Sequence, residues 1–417
     1  MALFDVMAVL VVLAAVLAYL NHRFFRLPRT IALMLMSLAV SVVLIALRCV
    51  HTPFEAWAED LVRSIPFEKV LLEGLLGLML FAAALHVNLG DLLANKWSVG
   101  TFATVGVVGS TFVVGGLVLV LSHVLGLGLG FIHCLLFGAL ISPTDPIAVL
   151  AILKKAGAPK NLETRIAGES LFNDGIGVVV FLTILKIAQG GADIGPGHIA
   201  GLFAAEALGG IALGLALGYA AYRMLKSVDD YHVEVLVTLG LVMGGYALAR
   251  ALHTSGPLAM VVAGLLIGNH GRKFAMSART REHLDTFWEL VDEVLNAVLF
   301  VMIGLEVLVL SLSPLYLLAG LIAIPLVLLA RLVTVGVPVA ILQRYRPFAP
   351  RAVRILTWGG LRGGISVALA LSLPRALGGE AGPREPILTI TYVVVAFSIV
   401  VQGLTIKKLI GVSARAG

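Results

Sequence analysis

The sequence predicts an all-α polytopic membrane protein of about thirteen transmembrane helices, arranged as two inverted-topology repeats with broken, crossing helices at corresponding positions. Three observations lead there. Charged residues make up 13% and apolar residues 59% of the chain, whereas soluble domains carry about 25% charged residues. Apolar runs of about 20 residues, enough to cross a bilayer as a helix, recur from end to end. The basic residues in the intervening loops alternate as the positive-inside bias requires.

The runs cover residues 3–20, 31–48, 70–89, 98–122, 131–153, 166–188, 198–224, 232–252, 255–269, 285–310, 314–342, 352–374 and 386–406. The first lacks a basic leader and a small-residue cleavage site, and is read as a retained helix. Residues 51–66, with Pro53, Trp57, Glu59, Asp60 and Arg63, read as a short amphipathic connection. The ninth run is short and opens on Ser255-Gly256-Pro257. Of the 30 Lys and Arg residues, 21 fall in the odd-numbered loops, at the helix ends that flank them (Arg223 and Arg354) or in the C-terminal tail, and 4 in the even-numbered loops. That split puts the odd loops in the cytoplasm, the N-terminus outside and the C-terminus inside. About eleven residues follow the last run, too few for a soluble regulatory domain.

The fifth run is interrupted by Ser142-Pro143-Thr144-Asp145-Pro146. Pro143 and Pro146 each lack an N–H and clash with the preceding turn, so a regular helix cannot pass through them. Non-helical backbone at membrane depth is tolerated only inside protein or beside a cavity. An acid at that depth is costly and marks a functional site. The twelfth run is interrupted by Gly359-Gly360-Leu361-Arg362-Gly363-Gly364, where four glycines weaken the helix and permit close backbone approach. The two runs differ by seven in order and so point in opposite directions. Interrupted helices related in this way are the signature of a transporter with its site at the repeat interface.

The sixth run supplies Glu169, Ser170, Asn173 and Asp174. Glu169 and Asn173 share one helix face, as do Ser170 and Asp174. Polar glue between helices accounts for Ser170 as readily as ligation does; for two intramembrane acids a functional role is the better reading. Asp174, Asp145, Thr144, Ser170 and the carbonyls freed by the prolines form an oxygen-rich set suited to a hard cation. A carboxylate out of water beside a second acid also binds protons, so cation and proton can compete for one group. Arg362 needs a counter-charge, and Glu169 is its expected partner, with Arg331 and Glu306 as secondary members of the network. The sequence shows neither a soft-metal motif nor a cofactor motif, and its two cysteines, Cys49 and Cys134, lie in separate runs. There is no basic stripe interleaved with aromatics, so nucleic acid is not an expected partner; membrane lipid is.

The runs Gly138-Ala139-Leu140-Ile141-Ser142-Pro143-Thr144-Asp145-Pro146-Ile147-Ala148-Val149, Gly168-Glu169-Ser170-Leu171-Phe172-Asn173-Asp174-Gly175 and Trp358-Gly359-Gly360-Leu361-Arg362-Gly363-Gly364 resemble, in order and spacing, three motifs of the NhaP/NHE-type branch of the monovalent cation/proton antiporters. The resemblance implies an antiporter, not an enzyme, that exchanges Na⁺ or Li⁺ for H⁺ at the cell membrane by elevator-type alternating access. It implies a homodimer, with a dimer domain at 1–90 and 198–310 and a moving core at 98–188 and 314–406. It makes Asp174 the ion- and proton-binding acid, assisted by Asp145, Thr144 and Ser170, with Asn173, Glu169 and Arg362 as support. Asn173 before Asp174 resembles the electroneutral one-for-one exchangers. One departure stands out: Ala82 occupies a position where the family often has an acid. K⁺/H⁺ exchange by the same fold is the nearest alternative. A sodium-coupled organic-anion symporter is disfavoured by the acids at the break. An intramembrane aspartyl protease is disfavoured because the glycines follow the acid in Asp174-Gly175-Ile176-Gly177 instead of preceding it.

Overall fold

The computed structural model describes residues 3–47, 67, 69–145, 149–150, 153, 160–190, 196–310, 313–344, 351–374 and 382–414. Pro146 and the connection expected at 51–66 lie outside these residues, as does Cys49. The main helices are α1 (Leu3–Leu20), α2 (Arg29–Leu47), α3 (Leu76–Leu85), α4 (Val107–Leu125), α5 (Phe131–Ile141), α6 (Lys160–Ala188), α7 (Pro196–Leu225), α8 (Tyr231–Ala251), α9 (Gly256–Leu266), α10 (Ala278–Glu306), α11 (Pro314–Leu342), α12 (Ala352–Trp358), α13 (Gly364–Leu371), α14 (Arg384–Phe397) and α15 (Gly403–Ala414). Among the described residues, eight helical stretches are long and apolar enough to cross a membrane.

Several helices extend past their apolar runs for identifiable reasons. α6 starts at Lys160, not near 166, because its polar first turns are helix-compatible and anchored: Arg165 Nε donates to Asn95 Oδ1 at 3.0 Å. α10 starts at Ala278, where Ser277 Oγ caps the Thr280 N–H at 3.3 Å. Its first turns carry Arg279, Arg281, Glu282 and His283, which a hydropathy window discounts. The last run continues beyond 406 through α15. The ninth run is a separate helix: Ser255 Oγ accepts from the Leu258 N–H at 3.3 Å and Pro257 sits in the first turn, where its missing N–H costs nothing.

The helices pack chiefly in two sets. α4, α5 and α6 pack together and onto α11, α13 and α14, while α3, α7, α8 and α9 pack around one another and α2, α3 and α8 pack onto α10. Small residues let backbones touch, as membrane interfaces require. A Cβ on Gly264 of α9 would lie 2.8 Å from the Phe81 carbonyl of α3. Cys134 is buried on α5 with a free thiol.

The fifth and twelfth runs are both broken where expected. α5 stops at Ile141, residues 142–145 are non-helical, and helix resumes at Val149–Leu150. The twelfth run divides into α12 and α13 around Gly359–Gly363. The two breaks meet in an isolated antiparallel bridge, with the Asp145 N–H donating to the Leu361 carbonyl at 2.8 Å.

Candidate functional site: two broken helices below an acidic cavity

Breaking a helix in an apolar interior frees backbone groups that must find partners. At the first break they do. The Ser142 and Pro143 carbonyls accept from Arg362 Nη1 at 2.6 and 3.1 Å. The Thr144 carbonyl accepts from Ser170 Oγ of α6. Thr144 Oγ1 accepts from Asn173 Nδ2 at 2.8 Å. At the second break the Arg362 N–H donates to Ser398 Oγ at 2.8 Å, Ser398 Oγ donates to Gln402 Oε1 at 2.6 Å, and Gln402 Nε2 donates to the Trp358 carbonyl at 2.9 Å.

Two glycines make room for side chains at this crossing. A Cβ on Gly363 would stand 2.6 Å from Asp145 Oδ2, and one on Gly360 would stand 2.7 Å from Arg331 Nε. Gly359 and Gly364 are equally enclosed, against the Ile355 carbonyl and Leu299.

The ion pairing differs from the expected one. Glu169 pairs with Arg331 Nη2 at 2.6 Å, both side chains buried. Arg331 sits on α11, where its Nη2 reaches the Glu169 carboxylate and its Nε also donates to the Leu356 carbonyl in the last turn of α12 at 3.4 Å. Arg362 lies at the crossing itself and is drawn to the free carbonyls of the first break. Those carbonyls each accept one hydrogen bond and keep a second lone pair. The oxygen-bearing side chains of the expected set on the cavity wall are those of Asp174, Asp145, Ser170 and Thr144.

These four residues line a cavity of about 670 Å³ that also touches α3 and α10. Asp174 lies on its wall with only 9% of its surface exposed, close enough to Asp145 for their charges to interact. Further along the cavity come Asp91, Glu163, Glu289, Asp292 and Glu293; among the described residues neither lysine nor arginine lines it. Asn173, Glu169 and Arg362 do not line it and act behind the wall.

Residues 11–410 match the family described as the sodium/hydrogen exchanger, transmembrane. The chain belongs to the sodium/hydrogen exchanger family. Among similar members, the Na⁺/H⁺ antiporter NhaP of Pseudomonas aeruginosa is 51% identical over 97% of this chain and 96% of its own length. The Na⁺/H⁺ antiporter NhaH of Halobacillus dabanensis is 36% identical over 90% and 91%. Among solved structures, the sodium proton antiporter MjNhaP1 of Methanocaldococcus jannaschii superimposes with a TM-score of 0.75, 18% identity and coverage of 100% of this chain and 99% of that one, which establishes a common fold.

In this family member the structure brings together Asp174, Asp145, Thr144, Ser170, Asn173, Pro143 and the four glycines of the second break. It pairs Glu169 with Arg331, while Arg362 stays near enough for its charge to interact with Glu169. Sequence reasoning missed Asp292, Glu289, Glu163 and Asp91 as cavity residues. Each sits near a loop or in a charged helical half, where an acid reads as a solvated group. It also missed Ser398 and Gln402, whose only signal is their polarity within an apolar run.

Proposed function

We propose that the protein exchanges Na⁺ or Li⁺ for H⁺ across the cell membrane through Asp174, assisted by Asp145, Thr144 and Ser170. The observation that carries this reading is the meeting of two carboxylates and two hydroxyls at the crossing of two broken helices, on the wall of a cavity lined with acids and, among the described residues, by neither lysine nor arginine. A buried carboxylate beside another is stabilised by a proton or by a cation. When both ligands compete for one charge, alternating access suffices to couple them. Asn173 offers no second carboxylate beside Asp174; its amide orients Thr144 instead. That supports a one-for-one, electroneutral exchange. The antiport named for the relatives from Pseudomonas aeruginosa and Halobacillus dabanensis agrees with the chemistry of this donor set.

The remaining architecture follows the same reading. Thirteen spans form two inverted repeats; α4–α6 and α11–α14 move as a core against a dimer domain of α1–α3 and α7–α10, paired with a second copy. With the odd loops in the cytoplasm, the exposed rim of the cavity at His86, Asn88, Glu289 and Glu293 faces inward, so this conformation is open to the cytoplasm. Asp174→Asn abolishes Na⁺-driven proton movement in proteoliposomes; exchange at the wild-type rate would overturn the site assignment. Running Na⁺, Li⁺ and K⁺ side by side, with and without an imposed membrane potential, tests cation choice and electroneutrality.

A further inference from the structure

α10 sends one face toward the cavity. Glu289, Asp292, Asn296 and Leu299 are spaced by three, four and three residues and so share a stripe. Its upper end touches the core: a Cβ on Gly364 would lie 2.6 Å from Leu299 Cδ1. Asp292 lies seven residues earlier, about 10 Å along the axis. It lines the same cavity as Asp145, and the two charges interact across it. Its neighbour Glu293 is engaged by Arg29, and among the described residues that line the cavity there is no Lys or Arg to balance Asp292. The α3 wall, formed by Leu76, Met79, Leu80, Ala82 and Ala83, contributes no acid.

A second observation lies on the core wall. Ser366, in the first turn of α13, is 1% exposed and lines the cavity. Its hydroxyl makes no hydrogen bond. A buried hydroxyl without a partner is costly unless a ligand or water completes it. Ser366 is three residues past Gly363, the glycine that admits the Asp145 carboxylate, and so faces the same side.

We propose that the cation is first held at Asp292, facing Asp145 across the cavity with the Ser366 hydroxyl on the core wall, before it reaches Asp174. Asp292 therefore sets the apparent cation affinity from the cytoplasmic side. Hard oxygen donors of this kind suit a dehydrating monovalent cation. The proposal rests on the exchange reading above, and on α10 belonging to the stationary part while Asp145 and Ser366 belong to the moving one. A cation bridging the two walls is released from Asp292 as the core moves.

The test is a Na⁺ concentration series on proteoliposomes with a pH-sensitive dye inside. Removing one unit charge at this range raises the half-saturating Na⁺ concentration of Asp292→Asn about fivefold or more, with the maximal rate within about twofold of wild type. Asp292→Glu restores the affinity, and Ser366→Ala weakens it by a smaller factor. If Asp292→Asn transports too slowly to titrate, Na⁺-dependent thermal stabilisation of the purified protein is read instead, and the midpoint of that stabilisation shifts to higher Na⁺ by the same factor. A half-saturating concentration or stabilisation midpoint within twofold of wild type overturns the proposal. Asp174→Asn is measured alongside. If that variant still exchanges, the exchange reading falls; if it is inactive while Asp292→Asn behaves as wild type, only the role of Asp292 falls.

Discussion

The Glu169–Arg331 pair gives the sharpest prediction, because the structure and the sequence disagree about it. The pair is buried at 2.6 Å. Removing one member of such a pair leaves an uncompensated charge and typically costs about 3–5 kcal/mol, whereas replacing both by neutral groups of similar size is often close to neutral. With an unfolding entropy of about 2.1 cal/mol/K per residue over 417 residues, that cost lowers Tm by roughly 3–6 °C. Arg331→Met is expected to fall by this amount, and Glu169→Gln/Arg331→Met to recover most of it. The comparison is Glu169→Gln/Arg362→Met, which is expected to show no such recovery, since Arg362 also loses its bonds to the Ser142 and Pro143 carbonyls. Intrinsic tryptophan fluorescence during heating in detergent reads all of these variants. Recovery in the Arg362 double variant and none in the Arg331 double variant would show that the pairing argued here is wrong.

Three more expectations follow from particular contacts. Gly363→Ala drives its methyl group into the Asp145 carboxylate; the Na⁺/H⁺ exchange rate should fall about tenfold or more, the scale of a misplaced reacting group, while the purified protein stays monodisperse, and wild-type exchange would refute the tight fit. Asn173→Ala removes the amide that orients Thr144; apparent Na⁺ affinity should weaken several-fold, roughly one charge-free hydrogen bond, without loss of electroneutrality, and an unchanged affinity in a dose–response series would exclude this role. Asp230 caps α8 by accepting from the His232 and Val233 N–H groups, and these bonds hold its carboxyl below the ordinary carboxylate range. Its contribution is therefore present above the unfolded-state value and lost as pH falls through the folded one, so Asp230→Ala should unfold at a slightly lower temperature at neutral pH, with the difference closing in acid; a gap that persists in acid would count against the cap.

The parts of the fold legible in the sequence were those written in composition and backbone chemistry. Apolar runs located the helices to within a few residues, except where α6 and α10 carry polar turns beyond the bilayer. Proline and glycine located both breaks, because the chain cannot remain helical through Ser142–Pro143 or Gly359–Gly364. Asp145, Thr144, Ser170 and Asp174 were found because polar groups in apolar runs are scarce. What could not be read was how those groups are shared out. Nothing in one dimension says that Arg362 would bond the Ser142 and Pro143 carbonyls just past α5 while Arg331 faced α6. Likewise Asp292 looks like one of five acids on a charged helical stretch until the packing of Leu299 on Gly364 turns its face toward the cavity.

That partition of charge explains why the crossing suits a cation. The acids and the basic groups at the breaks occupy opposite sides. Asp145 and Asp174 look into the cavity, while Arg331 and Arg362 lie together behind the crossing, in a small recess of about 10 Å³ with Gly360, Phe397 and Gln402. Each arginine is committed there: Arg331 to Glu169 and Arg362 to carbonyls of the broken helix. Had Arg362 turned toward the cavity, it would have added a positive charge to the wall that carries Asp145 and Asp174 and weakened the field that attracts a cation. Because backbone oxygens hold it instead, the stabilisation of the break and the negative charge of the cavity do not compete. A proton or a monovalent cation at Asp174 then adds positive charge where two carboxylates lie close together.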